Sequence, residues 1–377
     1  MPNFTKWVAV WGNSMSVTDP RPEGYAKDIT LRYPIHMPFD ADALKIGLSN
    51  EPGIENATIT RVTVLLNGVV YPVTKNGSRE ITIPAGEKIF TDPADIPVKS
   101  GDLPIVCLYL GDYTPMRASA GYTSPMASGN MYFLGDQTEN FTPDIKTGAT
   151  IGRSWYLSDV SALTASDNRC VICYGDSITA QAWPDYAQLR AEKEGFTHTS
   201  FIRRAIGGSR VLRAYDCIQY ANYGRASIDR FMPDTVVDGA DTVIILQGVN
   251  DLIHPVGVEE NPHRPMSDLP TADELIGGLK TLIAQARDKG LKVYMGTIMP
   301  FFGWSTYKPF REEIRQAVNA FIRTTDLIDG CVDFDAAIRD ENAENGCRAG
   351  MMTPDNLHPA NPGHKVMAEA LPEEIFR

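Results

Sequence analysis

The sequence predicts two architectures in series: an all-β sandwich over residues 1–165 and an α/β domain with a parallel sheet over residues 166–377. Three observations predict this. The apolar pattern has a period of two in the first half. It becomes continuous apolar strands alternating with helical stretches in the second. An Asn-Gly pair also stands between two strand-like runs in the first half, a strong short-range hairpin signal.

In the first half, short alternating runs are separated by Gly, Pro and Asn. Residues 58–66 read as a strand that meets Asn67-Gly68, with a return strand over 69–73. Residues 80–84 and 103–110 continue the pattern, and no long amphipathic helix interrupts it. Many short strands with regular turns suggest a sandwich, here jelly-roll-like. Residues 117–146 are rich in Ser, Gly, Thr and Pro and read as a long loop crossing between the domains.

In the second half, residues 171–174, 241–246 and 291–298 are apolar enough to be buried on both faces, as strands of a parallel sheet are. The helical stretches between them are 181–194, 272–289 ending at Gly290, and 307–326. This alternation is the pattern of a sheet covered by helices on both sides.

Composition removes several function classes. The chain has 377 residues, a formal net charge of -12 and no strongly basic stretch, so nucleic-acid binding is disfavoured. No apolar run approaches the roughly 20 residues that span a bilayer, so no membrane partner is expected. The opening Met1-Pro2-Asn3-Phe4-Thr5-Lys6 has no charged stretch followed by a long apolar core. Several of the six cysteines fall in core strands, which favours reduced thiols and a cytoplasmic location. A chain trimmed of its leader would look the same and be secreted. Cys170 and Cys173 form a C-x-x-C, but odd spacing on a strand sends the two side chains to opposite faces. No second pair completes a zinc site, and neither a metal nor an organic cofactor is expected. Oligomeric state is not legible, and a homo-oligomer is compatible with the sequence.

The motif-bearing residues cluster after the second-half strands. Gly175-Asp176-Ser177-Ile178 follows the first of them and precedes a helix, a placement that exposes a serine hydroxyl. A serine hydroxyl is inert at neutral pH without a base. Asp355-Asn356-Leu357-His358-Pro359 offers His358 as the base and Asp355, three residues earlier, to orient its ring. Donors for an oxyanion are the backbone N–H groups of Ser177 and Gly208, the latter in Ile206-Gly207-Gly208-Ser209, and the side-chain amide of Asn250 in Gly248-Val249-Asn250-Asp251. Each piece has a plain alternative. Asn250-Asp251 also suits a helix cap, and Asp-x-x-His a surface turn. Their joint order and their positions after strands point to acyl transfer to water.

Those four blocks resemble the SGNH (GDSL-type) hydrolase superfamily over about residues 167–377. The resemblance implies a flavodoxin-like three-layer parallel-sheet domain, with Ser177, His358 and Asp355 as a catalytic triad and Ser177, Gly208 and Asn250 as the oxyanion hole. Residues 319–340, with Asp333-Phe334-Asp335, look similar to a subgroup found in xylanase gene clusters. Two-domain carbohydrate esterases also pair a β-sandwich with this catalytic fold. The implied activity is a serine esterase that removes short acyl groups, acetyl above all, from an acetylated oligo- or polysaccharide. A lipid-directed esterase, lysophospholipase or thioesterase would use the same chemistry. A carbohydrate-binding protein with a vestigial esterase domain is the alternative from another class.

Aromatic residues near the motif-bearing segments suit a sugar substrate. Trp183 and Trp304 are the candidate contacts, with Phe301 and Phe302 beside the latter; core packing is the competing reading for each. His254 and His263, in the loop 252–268, read as contacts to solvent or substrate rather than metal ligands, and His364 reads as structural. Arg203, Arg204 and Arg210 flank the glycine block and could attract an acidic substrate, although solvated or paired arginines are the default. Asp176 and Asp251 are expected to order their turns by accepting backbone N–H bonds.

Overall fold

The computed structural model describes residues 4–18, 24–122, 124–126, 129–343 and 346–377. Met1, Pro2 and Asn3, which opened the stretch read for a leader, lie outside the described residues. So do residues 123, 127 and 128 of the expected loop. The chain divides into two compact units. The first comprises Met1–Cys170, Gly195–Ile202 and Val237–Gly239; the second comprises Val171–Glu194, Arg203–Val236 and Ala240–Arg377.

The first unit is built from antiparallel sheets. One sheet orders Lys6–Gly12, Leu157–Thr164, Ala43–Ser49 and Lys88–Phe90. A six-stranded sheet orders Gly148–Ile151, Asn130–Leu134, Ile29–Pro34, Ile105–Leu110, Arg61–Leu66 and Val69–Val73. The hairpin forms as its turn residues dictate. Asn67 and Gly68 both have positive φ, 50° and 81°, which matches a two-residue turn to the twist of its strands.

Two features differ from the sequence reading. The expected strand 58–66 breaks at Thr60 because the chain changes partners there. Ala57–Ile59 pairs with Ile81–Ile83, whereas Arg61–Leu66 joins the six-stranded sheet. The expected loop 117–146 holds the strands Ala118–Gly121 and Asn130–Leu134. Its small and polar residues are held by pairing that composition does not reveal; the Asn130 side-chain amide, for example, donates to Arg153 O at 2.7 Å.

The second half carries a five-stranded parallel sheet in the order Thr199–Ala205, Arg169–Gly175, Ala240–Leu246, Lys292–Gly296, Gly330–Val332. Residues 170–174 are wholly buried, as continuous apolar runs in parallel sheets are. Cys170 and Cys173 lie in this strand, and none of the six cysteines forms a disulfide. The strand Thr199–Ala205 is not apparent from the sequence because it carries Thr, Ser and two arginines, yet every residue in it is buried. Its charges are met locally: Arg203 pairs with buried Asp185 at 2.8 Å, and Arg204 Nε donates to Asp234 O at 2.7 Å.

The helices form where the apolar spacing places them. Ala272–Asp288 begins with a capping box between Thr271 and Glu274 and buries Leu275, Leu279, Leu282, Ile283 and Ala286 along one face. A cap contributes about 1 kcal/mol; each buried Leu or Ile contributes about 1.5–3 kcal/mol, so the packed face decides. Pro309–Thr324 carries Arg315 and Arg323, which both reach Asp335, at 2.9 and 2.6 Å. Asp333 caps the short helix Phe334–Ile338 by accepting from Ala336 N. The Asp333-Phe334-Asp335 motif thus builds a structural network that also holds Thr297, just past the strand Lys292–Gly296.

Candidate active site

The serine lies on a tight turn. The strand Arg169–Gly175 runs into Asp176, whose side chain accepts from Ile178 N at 3.0 Å and caps the short helix Ser177–Ala180. A Cβ at Gly175 would fall 2.2 Å from Thr179 Oγ1 and 2.7 Å from Leu246 O. Only glycine lets the turn press against the end of the neighbouring strand Ala240–Leu246. Ser177 is left half-buried.

His358 meets that hydroxyl. The distance from Ser177 Oγ to His358 Nε2 is 2.8 Å, and His358 Nδ1 lies 2.7 Å from Asp355 Oδ2. Asn356 adopts φ 57°, a left-handed conformation that asparagine tolerates better than most residues. The resulting turn wraps backbone around the carboxylate: Leu357 N and His358 N donate to Asp355 Oδ1 at 2.9 and 3.0 Å, and Thr353 Oγ1 donates at 2.7 Å. Partial burial alone would raise the Asp355 pKa. The donors from His358, Thr353 and Leu357 outweigh it and hold the carboxyl well below the usual carboxylate range. An ionised Asp355 fixes Nδ1–H on its side of the ring and leaves Nε2 to accept from Ser177.

The glycine and asparagine blocks are tied together beside the serine. Asn250 is buried, and its Nδ2 donates to Ser209 O at 3.0 Å. An amide nitrogen carries two N–H groups, so one remains for a ligand. Asp251 accepts from Val211 N and Leu212 N at 2.8 and 3.1 Å. Burial raises the pKa of both Asp176 and Asp251 to about 6, against the pull of those backbone donors. The position a Cβ would take on Gly207 lies 3.7 Å from Ser177 Cβ, which puts the glycine block against the serine.

Several residues that hold this geometry are not legible as functional in the sequence. Arg230 Nη2 donates to Gly175 O at 2.8 Å and to Ser209 Oγ at 3.2 Å. Gln247 Nε2 donates to Ser209 Oγ at 2.9 Å and Ser227 Oγ at 2.7 Å. Arg230 and Gln247 therefore clamp the glycine block, and Arg230 joins it to the serine turn. Tyr223 packs its ring on Gly208: a Cβ there would fall 2.3 Å from Tyr223 Cδ1, and Gly208 has φ 79°. Both constraints demand glycine at 208.

The remaining candidates separate into two groups. Trp304 is half-buried and stands edge-on to His358, with ring centroids 6.5 Å apart, so it lines the site. Trp183 does not: its indole is 0% exposed and packs on Phe334 at 5.4 Å. An enclosed ring has no face to offer a sugar, so the substrate contact expected of Trp183 is replaced by core packing. Phe301 is likewise buried, whereas Phe302 is exposed.

His254 is not a loop residue facing solvent. It follows the helix Val249–Ile253, is buried, and stacks on Tyr223 at 5.2 Å; burial pushes its pKa down to about 2, keeping the ring neutral. His263 is exposed. His364 Nε2 meets Gln181 Oε1 at 2.9 Å, and burial lowers its pKa to about 4. The arginines beside the glycine block are buried and engaged; Arg210 pairs with Asp268 at 3.0 Å and lies over the Tyr215 ring. None of the three is solvated. Among the described residues, no group of three or more His, Cys, Asp or Glu is placed to hold a metal ion. No helix among them is long and apolar enough to cross a membrane.

Residues 173–366 match the model of the GDSL-like Lipase/Acylhydrolase family. Among solved structures, a GDSL-like lipase from Bacteroides thetaiotaomicron VPI-5482 is similar at 19% identity with a TM-score of 0.40, over 55% of this chain and 87% of that one. A catalytic mutant of an acetylxylan esterase from Geobacillus stearothermophilus is similar at 18% identity and a TM-score of 0.40, over 54% and 91% of the two chains. An acetyl xylan esterase is similar at 20% identity and a TM-score of 0.39, over 53% and 96%. No curated protein matches the chain.

Proposed function

The chain belongs to the GDSL-like lipase/acylhydrolase family, and from that premise we propose that it is a serine esterase removing short acyl groups, acetyl foremost, from O-acetylated carbohydrate. The observation that supports this most is the continuous chain from Ser177 Oγ through His358 to Asp355, at 2.8 and 2.7 Å. Residues 166–377 are proposed as the catalytic domain and residues 1–165 as an accessory domain.

In the proposed reaction, Ser177 Oγ attacks the ester carbonyl while His358 Nε2 takes its proton. Asp355 stabilises the imidazolium that forms. The carbonyl oxygen becomes an oxyanion held by Ser177 N–H, Gly208 N–H and the second N–H of Asn250. His358 then protonates the departing alcohol oxygen, leaving an acyl group on Ser177. A water, deprotonated by His358, attacks that acyl carbonyl and releases the acid. The proton returns to Ser177 Oγ, and no metal or organic cofactor enters the balance.

Two features support the choice of substrate. Trp304 offers an aromatic wall beside His358, on which the apolar face of a sugar ring packs well. The Tyr223 ring fills the space over Gly208, and a site closed by bulky groups favours a small acyl chain. Acetyl esters should therefore turn over faster than esters of about eight carbons or more, measured as kcat/KM on one alcohol series. Release of acetate from acetylated oligosaccharides is the companion assay. Faster hydrolysis of the long chains, with no acetate from any glycan, would replace the reading by a lipid-directed esterase or thioesterase.

Gly208→Ala tests the glycine's part. The new methyl collides with Tyr223 and strains a left-handed backbone, so stability should fall by about 1–3 kcal/mol. Displacing one oxyanion donor should lower kcat by about 10²-fold. A variant that melts earlier yet keeps its kcat would show that Gly208 serves packing alone.

A further inference from the structure

The strand Ile29–Pro34 alternates in the usual way: Leu31 and Tyr33 go to one face and are buried there, while Thr30, Arg32 and Pro34 go to the other. On that second face Arg32 sits in register between Cys107 and Met131. The segment after Leu134 is tied over the face at three points. Thr30 Oγ1 donates to Gly135 O at 2.7 Å, Thr63 Oγ1 to Thr138 O at 2.5 Å, and Arg32 Nη1 to Asn140 O at 2.6 Å. Beside the last tie lies a cavity of ≈ 290 Å³, lined by Arg32, Pro34, Ile105, Phe133, Phe141 and Ile145 among others.

Arg32 is the unusual wall. It is only 5% exposed, yet among the described residues it has no carboxylate partner. Its guanidinium makes one hydrogen bond, to a neutral carbonyl, and lies 5.7 Å from the Phe133 ring centroid. A guanidinium has five N–H donors, and a buried cation without a counter-charge is unfavourable. An anion in the cavity would supply both a counter-charge and further acceptors. Besides Arg32, Thr142 is the one lining residue with a polar side chain, and the mouth exposes Phe141 (39%) and Ile145 (63%). The volume sits near the lower end of the range for small-molecule sites, which starts at about 300 Å³.

We propose that this cavity binds an arylcarboxylate, its carboxylate on Arg32 and its ring between Phe133 and Phe141. A carboxylate matches the guanidinium in charge and in fork geometry. A phosphate would bring more charge than one arginine offsets and more acceptors than these walls can meet. A polyhydroxylated acid would leave its hydroxyls against Pro34 and Ile105 without partners. All six residues belong to the first unit, and the site stands whether or not the second unit is an esterase.

The test is calorimetric titration of the full-length protein with benzoate, benzyl alcohol and benzylamine. Saturable one-to-one binding of benzoate is expected, with the neutral and cationic isosteres at least about tenfold weaker. Arg32→Met keeps the length and removes the charge, and should weaken benzoate by about tenfold or more. Phe141→Ala, at the exposed rim, should weaken it severalfold. Ser177→Ala should leave it unchanged. No saturation by ~10 mM benzoate, equal affinity for benzyl alcohol, or an Arg32→Met protein that binds normally overturns the proposal. Should Arg32→Met fail to fold, undiminished binding by Phe141→Ala overturns it equally.

Discussion

Ser177→Ala is expected to lower kcat for ester hydrolysis by at least about 10³-fold while leaving the melting temperature near that of the parent. The reason is positional. Among the described residues the oxygen placed on His358 Nε2 is Ser177 Oγ, at 2.8 Å, and no acyl-enzyme forms without it. The serine is half-buried and its turn is held by Asp176 and Gly175, so losing one oxygen removes little packing. His358→Ala should cost about as much, because a serine hydroxyl without a base stays protonated. The double variant should be scarcely slower than either single one, since the two residues act as one unit. Residual activity would come from the oxyanion donors and substrate binding. Purified, folded Ser177→Ala with near-normal turnover would falsify the assignment of the nucleophile and with it the proposed mechanism. Losses that multiplied in the double variant would mean that the two side chains contribute independently.

The parts of this site that the sequence reveals are those whose chemistry is local. Asp355 and His358 meet across one turn, and Ser177 follows a strand whose apolar run is unmistakable. The parts it hides depend on contacts between distant segments. Arg230 reaches back to Gly175, and Gln247 reaches Ser209 and Ser227; no spacing along the chain announces either bond. Tyr223 acts on Gly208 through shape alone. Trp183 misleads because nearness in sequence to Ser177 does not fix which way a helix turns its face, and this one turns toward Phe334. The strand Thr199–Ala205 was hidden for a related reason. Its arginines look solvated in the sequence, but Asp185 and the Asp234 carbonyl meet them inside the fold. In the first half, the hairpin at Asn67-Gly68 was legible from two residues, whereas 117–146 looked like loop because its strands are held by partners elsewhere in the chain.

Asn250→Ala should lower kcat by about 10²–10³-fold with little change in KM. The amide contributes one N–H to Ser209 O, which leaves the other for a negative charge present only after the carbonyl is attacked. A donor to the transition state acts on kcat, whereas a donor to the bound ester would act on KM. The substitution also removes the Ser209 bond, worth about 1 kcal/mol to stability. That loss alone does not dismantle the glycine block. Gln247 and Arg230 still hold Ser209 Oγ, and Asp251 still accepts from Val211 and Leu212. Gly208 therefore keeps its place, and the drop in kcat isolates the missing amide. Measured on a soluble acetyl ester over a range of substrate concentrations, a large kcat loss with KM nearly constant supports Asn250 as an oxyanion donor. A raised KM with kcat intact would make it a substrate-positioning residue and leave the oxyanion to the two backbone N–H groups.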